Sequence, residues 1–231
     1  MNATPHTAIV TGGSEGLGLA LTVALAERGW NVVVDARHSQ LLIEAVAPLG
    51  PSVVAVPGDI NDPTHRLALV ASATGVSDDG RIDLIINNAS TLGPLPMPAL
   101  LQLPPTDLVG VLTTNVVSPL ALIQVAASHL TVDGCIINIT SDAGVAAYEG
   151  WGGYGTSKSA LDQLSRILAV EQPTWRVYAL DPGDMRTAMH QDAFPGQDIS
   201  DRPLPQHSVA GILALINGSQ PSGRYSVAQV R

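Results

Sequence analysis

Short apolar runs rich in Val and Ile recur along the chain and alternate with longer stretches whose apolar residues fall three and four positions apart. The runs at 8–11, 31–35, 53–56, 84–87, 135–140, 176–180 and 224–227 predict seven strands. Between them, sets such as Leu17, Ala20, Leu21, Ala24, Leu25 and Leu161, Leu164, Ile167, Leu168 predict helices with one apolar face. Strands apolar on both sides, each followed by a helix, predict an α/β chain built on a parallel sheet with both faces covered. No linker-like change of composition divides it, so residues 1–231 are expected to form one domain.

Two segments break this rhythm. Residues 92–105 contain five prolines, which predicts a loop. Residues 193–206 are rich in Pro, Gly and Asp, and close an expected mobile flap at 184–206. Both follow predicted strands and belong at the carboxyl edge of the sheet, where such folds bind ligands.

Composition narrows the function classes. With 45% apolar and 13% charged residues, the chain has ample material for a core and is not intrinsically disordered. A single cysteine excludes a disulfide scaffold and a multi-cysteine metal site, and no metal is expected. Eleven basic against 20 acidic residues, a net charge of −9, leave no basic stripe for nucleic acid. The N-terminal residues Met1 to Thr7 carry no basic start, and the apolar run after them is broken at Gly12 and Gly13. Elsewhere polar residues, Gly and Pro interrupt apolar stretches before about 18 residues, so no membrane span and a soluble, cytoplasmic protein are expected.

The turn Thr11-Gly12-Gly13-Ser14-Glu15-Gly16-Leu17-Gly18 lies between the first predicted strand and helix. Glycines there permit backbone angles that a Cβ opposes, and let a pyrophosphate approach amides at a helix N-terminus. An ordinary glycine-rich turn is the alternative; Gly16 and Gly18 could serve only close helix packing.

Tyr154 and Lys158 are four apart at the start of a predicted helix and share a face. A free phenol, with a pKa near 10, is a poor base at neutral pH, and a nearby ammonium is expected to lower that value. The pair could then exchange a proton with a carbonyl or alcohol oxygen. Ser141, thirteen positions earlier, could donate to the same oxygen. An exposed helical contact and a capping serine are the alternatives. Against them, Lys158 is the only lysine in the chain, the other ten Lys/Arg residues being arginine.

In these motifs the chain resembles the short-chain dehydrogenase/reductase family. The matches run in order through the TGxxxGxG turn, Asp59, Asn87-Asn88-Ala89, Asn115, Ser141, Tyr154-x-x-x-Lys158, Pro182-Gly183 and Thr187. The resemblance implies a doubly wound Rossmann fold with an about seven-stranded parallel sheet and helices on both faces. It implies hydride transfer between a nicotinamide cofactor and a carbonyl or secondary alcohol, with Asn115, Ser141, Tyr154 and Lys158 catalytic. Lys158 would also bind the nicotinamide ribose, and Asn115 would hold a water linking the lysine to bulk. Thr11, Gly12, Ser14, Glu15, Gly16, Leu17, Gly18, Asp59, Ile60, Asn88, Ala89, Ser90, Pro182, Gly183, Met185 and Thr187 would line the cofactor site. A homodimer or homotetramer is implied too, through the helices holding Asn115 and Tyr154, with the last strand as a further candidate surface.

Asp35 lies seventeen residues past Gly18, near the spacing of an acid that accepts an NAD ribose hydroxyl. In the resembled family the discriminating position is one step further. That places Ala36 at the site and Arg37 beside it, a pairing suited to a 2′-phosphate. NADP(H) is therefore expected, with NAD(H) possible. Leu92, Leu95, Asp142, Ala143, Val145, Tyr148, Trp151, Met185 and Met189 are candidates for the substrate pocket, whose apolar bias predicts a small uncharged carbonyl or alcohol. Ser90 departs from the family's usual glycine, and the flap is compact. A catalytically silent cofactor-binding regulator and a carrier-bound β-ketoacyl reductase are the rival readings; an extended-branch epimerase lacks residues after Pro182 to build its substrate domain.

Overall fold

A computed structural model describes residues 5–230. The sequence reading of Met1 to Thr4, and Arg231, lie outside them. Seven strands form one sheet: β1 (Thr7–Val10), β2 (Asn31–Ala36), β3 (Val53–Pro57), β4 (Ile82–Asn87), β5 (Leu130–Ile139), β6 (Arg176–Asp181) and β7 (Gly223–Ser226). All neighbours pair in parallel, in the order β3-β2-β1-β4-β5-β6-β7. The chain thus builds outward from β1 in one direction, then returns to its other side with β4. A crevice opens at the carboxyl ends of β1 and β4, where strand order reverses.

The helices are α1 (Gly16–Ala26), α2 (Ser39–Val46), α3 (Pro63–Val76), α4 (Pro105–Leu112), α5 (Ser118–Ala126), α6 (Gly152–Glu171), α7 (Ala188–Ala193) and α8 (Gln206–Asn217). Strand alternation divides the core in two. Ala8, Val10, Leu84, Ile86, Cys135 and Ile137 pack with α1, α2 and α8 on one face. Ile9, Ile82, Ile85 and Ile136 pack with α3 and α5 on the other. A buried amide chain crosses the sheet: Asn87 donates to Asn138 at 2.7 Å, and Asn138 donates to Ser165 of α6 at 2.8 Å.

Local signals set the helix starts. Asp62 caps α3 by accepting from Thr64 N–H at 2.8 Å, with Pro63 in the first turn. The proline-rich loop ends where Pro105 opens α4. A π turn (Thr113–Val117) joins α4 to α5, making one rod, Pro105–Ala126, of 22 residues, whose most apolar 18-residue stretch has a mean hydropathy of 1.7. Among the described residues this is the one helical run long and apolar enough to cross a membrane, by length and composition alone. Asn115 and Ser118 do interrupt it, but both are buried in hydrogen bonds while Leu122, Ile123 and Ala126 enter the core. Within the expected flap the chain forms α7, and Arg186 N–H is tied to Pro203 carbonyl at 2.8 Å.

Candidate active site

The glycine-rich turn leaves β1 and is stapled to the end of β4. Thr11 Oγ1 accepts from the N–H groups of Asn88 and Ala89, both at 3.0 Å, while the Asn88 amide donates to the carbonyls of Thr11 and Gly12. Gly16 has φ +58°, a region costly for residues with a Cβ. At Gly18 a Cβ would stand 2.2 Å from the Gly12 carbonyl oxygen, so only glycine lets α1 meet the turn this closely. Glu15 at the N-cap makes no side-chain cap, and no acidic residue occupies the first turn of α1. Among the described residues, the first N–H groups of the helix therefore lack a side-chain acceptor at a cleft lined by Gly12, Ser14, Glu15, Gly16 and Leu17. That is the arrangement an anion fits.

On the β2 side, Asp35 is buried and both carboxylate oxygens are engaged. Oδ1 accepts from Gly12 N–H at 2.7 Å, and Oδ2 lies 3.1 Å from His65 Nε2. Asp35 thus builds the turn. Ala36, Arg37, Asp59 and Ile60 line the cleft beside it. Arg37 is exposed and has no ion-pair partner among the described residues. His65, whose ring also packs on Gly58, went unnoticed in sequence, where it is one polar residue in an amphipathic helix.

Beyond the turn the cleft reaches the start of α6. Tyr154 and Lys158 sit one helical turn apart there, 8% and 2% exposed, with Lys158 Nζ 5.3 Å from the phenol ring centre. Lys158 donates to the Ile139 carbonyl at 2.8 Å. Ser141 follows β5, donates to the Asp142 carboxylate at 2.9 Å and accepts from Ala143 N–H at 3.2 Å. The other Asp142 oxygen accepts from Tyr148 Oη at 2.7 Å.

Burial dominates the charge states. It pushes the Tyr154 phenol well above its ordinary value; the Ser141 and Ser90 hydroxyls oppose this, and the carboxylates of Asp181 and Asp142 add to it. Burial lowers Lys158 to about 8, partly offset by Asp162. The phenol therefore lies above its ordinary value, against the expectation of a phenol acidified by its lysine, because desolvation dominates.

Asn115 lies in the π turn, buried, and every polar atom of its amide is used. It donates to Thr91 carbonyl and Ser157 Oγ, both at 2.9 Å, and accepts from Thr91 N–H at 2.9 Å and Ser90 Oγ at 3.1 Å. The widened turn is how an apolar helix admits this amide without loss of its backbone bonding. Ser90, the departure from glycine, thereby joins the cleft wall to Asn115.

The carboxyl end of β6 completes the cleft with Pro182, Gly183, Met185 and Thr187. Thr187 caps α7 and borders Gly16. Leu92, Ala143, Trp151 and Met189 pack around Tyr154, Trp151 edge-on at 5.7 Å. Leu95 instead lies on a separate groove with Gln191 and Asp192, and Val145 and Tyr148 stand exposed outside the cleft wall. Asp181, Asp184 and His190 line the cleft together with Asp142, so its wall is more acidic than the apolar candidates implied.

The family profile described as short chain dehydrogenase matches residues 6–198. An uncharacterized oxidoreductase of Mycobacterium tuberculosis is 34% identical over 189 residues, 78% of this chain and 70% of that protein. Short-chain dehydrogenase/reductase FrzI of Cladobotryum sp is 37% identical over 173 residues, 71% of this chain but only 63% of its own length. A solved structure described as a short chain dehydrogenase from Pseudomonas syringae superposes with a TM-score of 0.88 at 27% identity, over 97% of this chain and 95% of that one.

Proposed function

The chain belongs to the short-chain dehydrogenase/reductase family and is an oxidoreductase; from that premise we propose that it interconverts a small uncharged carbonyl compound and a secondary alcohol with NADP(H), using Tyr154, Lys158, Ser141 and Asn115. The observation that carries this reading is the buried Tyr154–Lys158 pair at the inner end of a cleft that begins at the uncapped N-terminus of α1.

The turn at Gly12 to Leu17 would hold the pyrophosphate, Asp59, Ile60, Asn88, Ala89 and Ser90 the adenosine side, and Pro182 to Thr187 the nicotinamide side. When bound, the dinucleotide supplies or accepts the hydride. In reduction Tyr154 gives its phenolic proton to the substrate oxygen as negative charge develops there. Lys158, anchored through Ile139, keeps its remaining N–H groups for ribose hydroxyls, and its positive charge favours the phenolate once the proton has left. Ser141 turns its hydroxyl from Asp142 to the substrate oxygen, adding a second donor. Asn115 fixes the floor of the site through Thr91 and Ser157, where a water could connect Lys158 with bulk solvent.

NADP(H) is favoured over NAD(H) because Asp35 is consumed by Gly12 and His65 while Arg37 is unpaired at the cleft. An association into a homodimer or homotetramer is supported by exposed Val109 and Val117 on the α4–α5 rod and Ile167 and Val170 on α6.

The test is a screen of ketones, aldehydes and secondary alcohols followed by nicotinamide absorbance. Tyr154→Phe should retain NADPH binding and lose at least about a thousandfold of kcat. Undiminished turnover by that variant would remove the proposed site, and a wild-type protein that binds NADPH yet turns over nothing in the screen would favour a silent regulator.

A further inference from the structure

We propose that Arg224, on the edge strand β7, is a positioning residue for the reaction: its guanidinium holds the main chain of Ser141 and cancels two carboxylates flanking the Tyr154–Lys158 pair. Arg224 Nε donates to Asp162 Oδ2 at 2.9 Å, and Nη2 donates to the Ser141 carbonyl at 3.0 Å and lies 3.5 Å from Asp181 Oδ2. Three elements are thereby joined through one side chain: α6, one turn beyond Lys158; the segment after β5; and the end of β6.

The site gives this cation a task. Asp162 is buried, its Oδ1 has no hydrogen-bond partner among the described residues, and its charge is compensated by the Arg224 contact together with the nearby Lys158 ammonium. Asp181 lies at the cleft wall. The other titratable groups near the pair are Asp142 after β5, with the exposed Tyr148 bound to its outer side, Asp184 beyond β6 and His190 on α7. Three of them are carboxylates or bound to one, and Asp184 already shares Arg202 with Asp201. Among the described residues Arg224 is the cation paired with Asp162 and Asp181. Without it the local negative charge would disfavour a phenolate at Tyr154. A lysine could supply the charge, yet it could not span Asp162, Asp181 and the Ser141 carbonyl in one planar fork.

The inference rests on the reading of Tyr154 as the group that exchanges the proton. Its test is the pH profile of kcat/KM for oxidation of the best secondary alcohol from the screen, whose rising limb reports ionisation of that phenol. Arg224→Met should move the limb up by about one pH unit, and Asp181→Asn, with Arg224 intact, should move it down by a similar amount. Arg224→Lys should return the limb towards its parent position while kcat stays reduced several-fold. NADP(H) dissociation constants should change less than about threefold throughout. Opposite shifts are the decisive result, because general loosening of the fold would not reverse sign between the two variants. Limbs that stay in place, or that move the same way, overturn the inference. Should Arg224→Met not fold, Asp181→Asn and Arg224→Lys decide alone: a stationary Asp181→Asn limb overturns it. Tyr154→Phe in the same assay separates the two levels. Retained turnover there sinks the proposed site itself; an inactive Tyr154→Phe with unmoved limbs sinks only the role of Arg224.

Discussion

Asp35 and Arg37 sit two positions apart, and the fold gives them opposite fates. The carboxylate turns inward to Gly12 N–H and His65, whereas the guanidinium is left at the cleft. Spacing alone points to NAD through Asp35; in the folded chain Asp35, inside β2, is spent on the glycine turn and His65, while Arg37, just past the strand's end at Ala36, is exposed at the cleft. Charge-assisted contacts to a phosphate contribute about 1.5–3 kcal/mol. Arg37→Ala should therefore lower kcat/KM for NADPH by about 10- to 100-fold and change that for NADH less than about threefold, a ratio measured by initial rates. Equal losses with both cofactors would contradict a 2′-phosphate contact. Tyr154, Lys158 and Ser141 were legible as a set because spacing and the chain's single lysine single them out. Their protonation states were not, since desolvation depends on neighbours such as Trp151 and Leu92 that arrive from other parts of the chain.

Elements carried the turn chemistry well. Glycines at 12, 16 and 18 between a strand and a helix read directly as a tight junction, and the cause is a contact: the missing Cβ of Gly18 lies against Gly12 carbonyl. Gly18→Ala should cost about 1–3 kcal/mol of stability by overpacking, read by denaturant unfolding, and should weaken dinucleotide binding because the turn must move. A variant of parent stability and affinity would show that α1 can withdraw from the turn freely. The π turn around Asn115 had no sequence signature beyond one amide in an apolar helix; the amide's four partners come from 90–91 and Ser157, far along the chain. Strand β5 begins at Leu130, earlier than its apolar run, because 131–133 is a lead-in, exposed at Val132 and Asp133, that carries no alternation of its own.

Across the whole molecule, the cost of burying an ammonium makes stability depend on pH. Lys158 titrates near 8 in the folded chain, below its unfolded value. Between those values the unfolded state binds more protons, so the free protein gains stability as pH rises through this window and is penalised below it. The gain is up to roughly 3 kcal/mol. Relative to Lys158→Met, the ligand-free wild type should gain melting temperature from pH 7 to pH 10; parallel curves for the two proteins would mean that the ammonium is solvated. Alternating apolar runs and helical spacing sufficed to determine seven parallel strands, two covered faces and a cleft at the carboxyl edge, because periodicity and turn chemistry are local properties of the chain. Only the folded chain decided that Asp35 is spent on the glycine turn, that Arg224 reaches Ser141, and that burial raises the phenol rather than lowering it. Those outcomes follow from distances and desolvation between residues that no spacing along the sequence encodes.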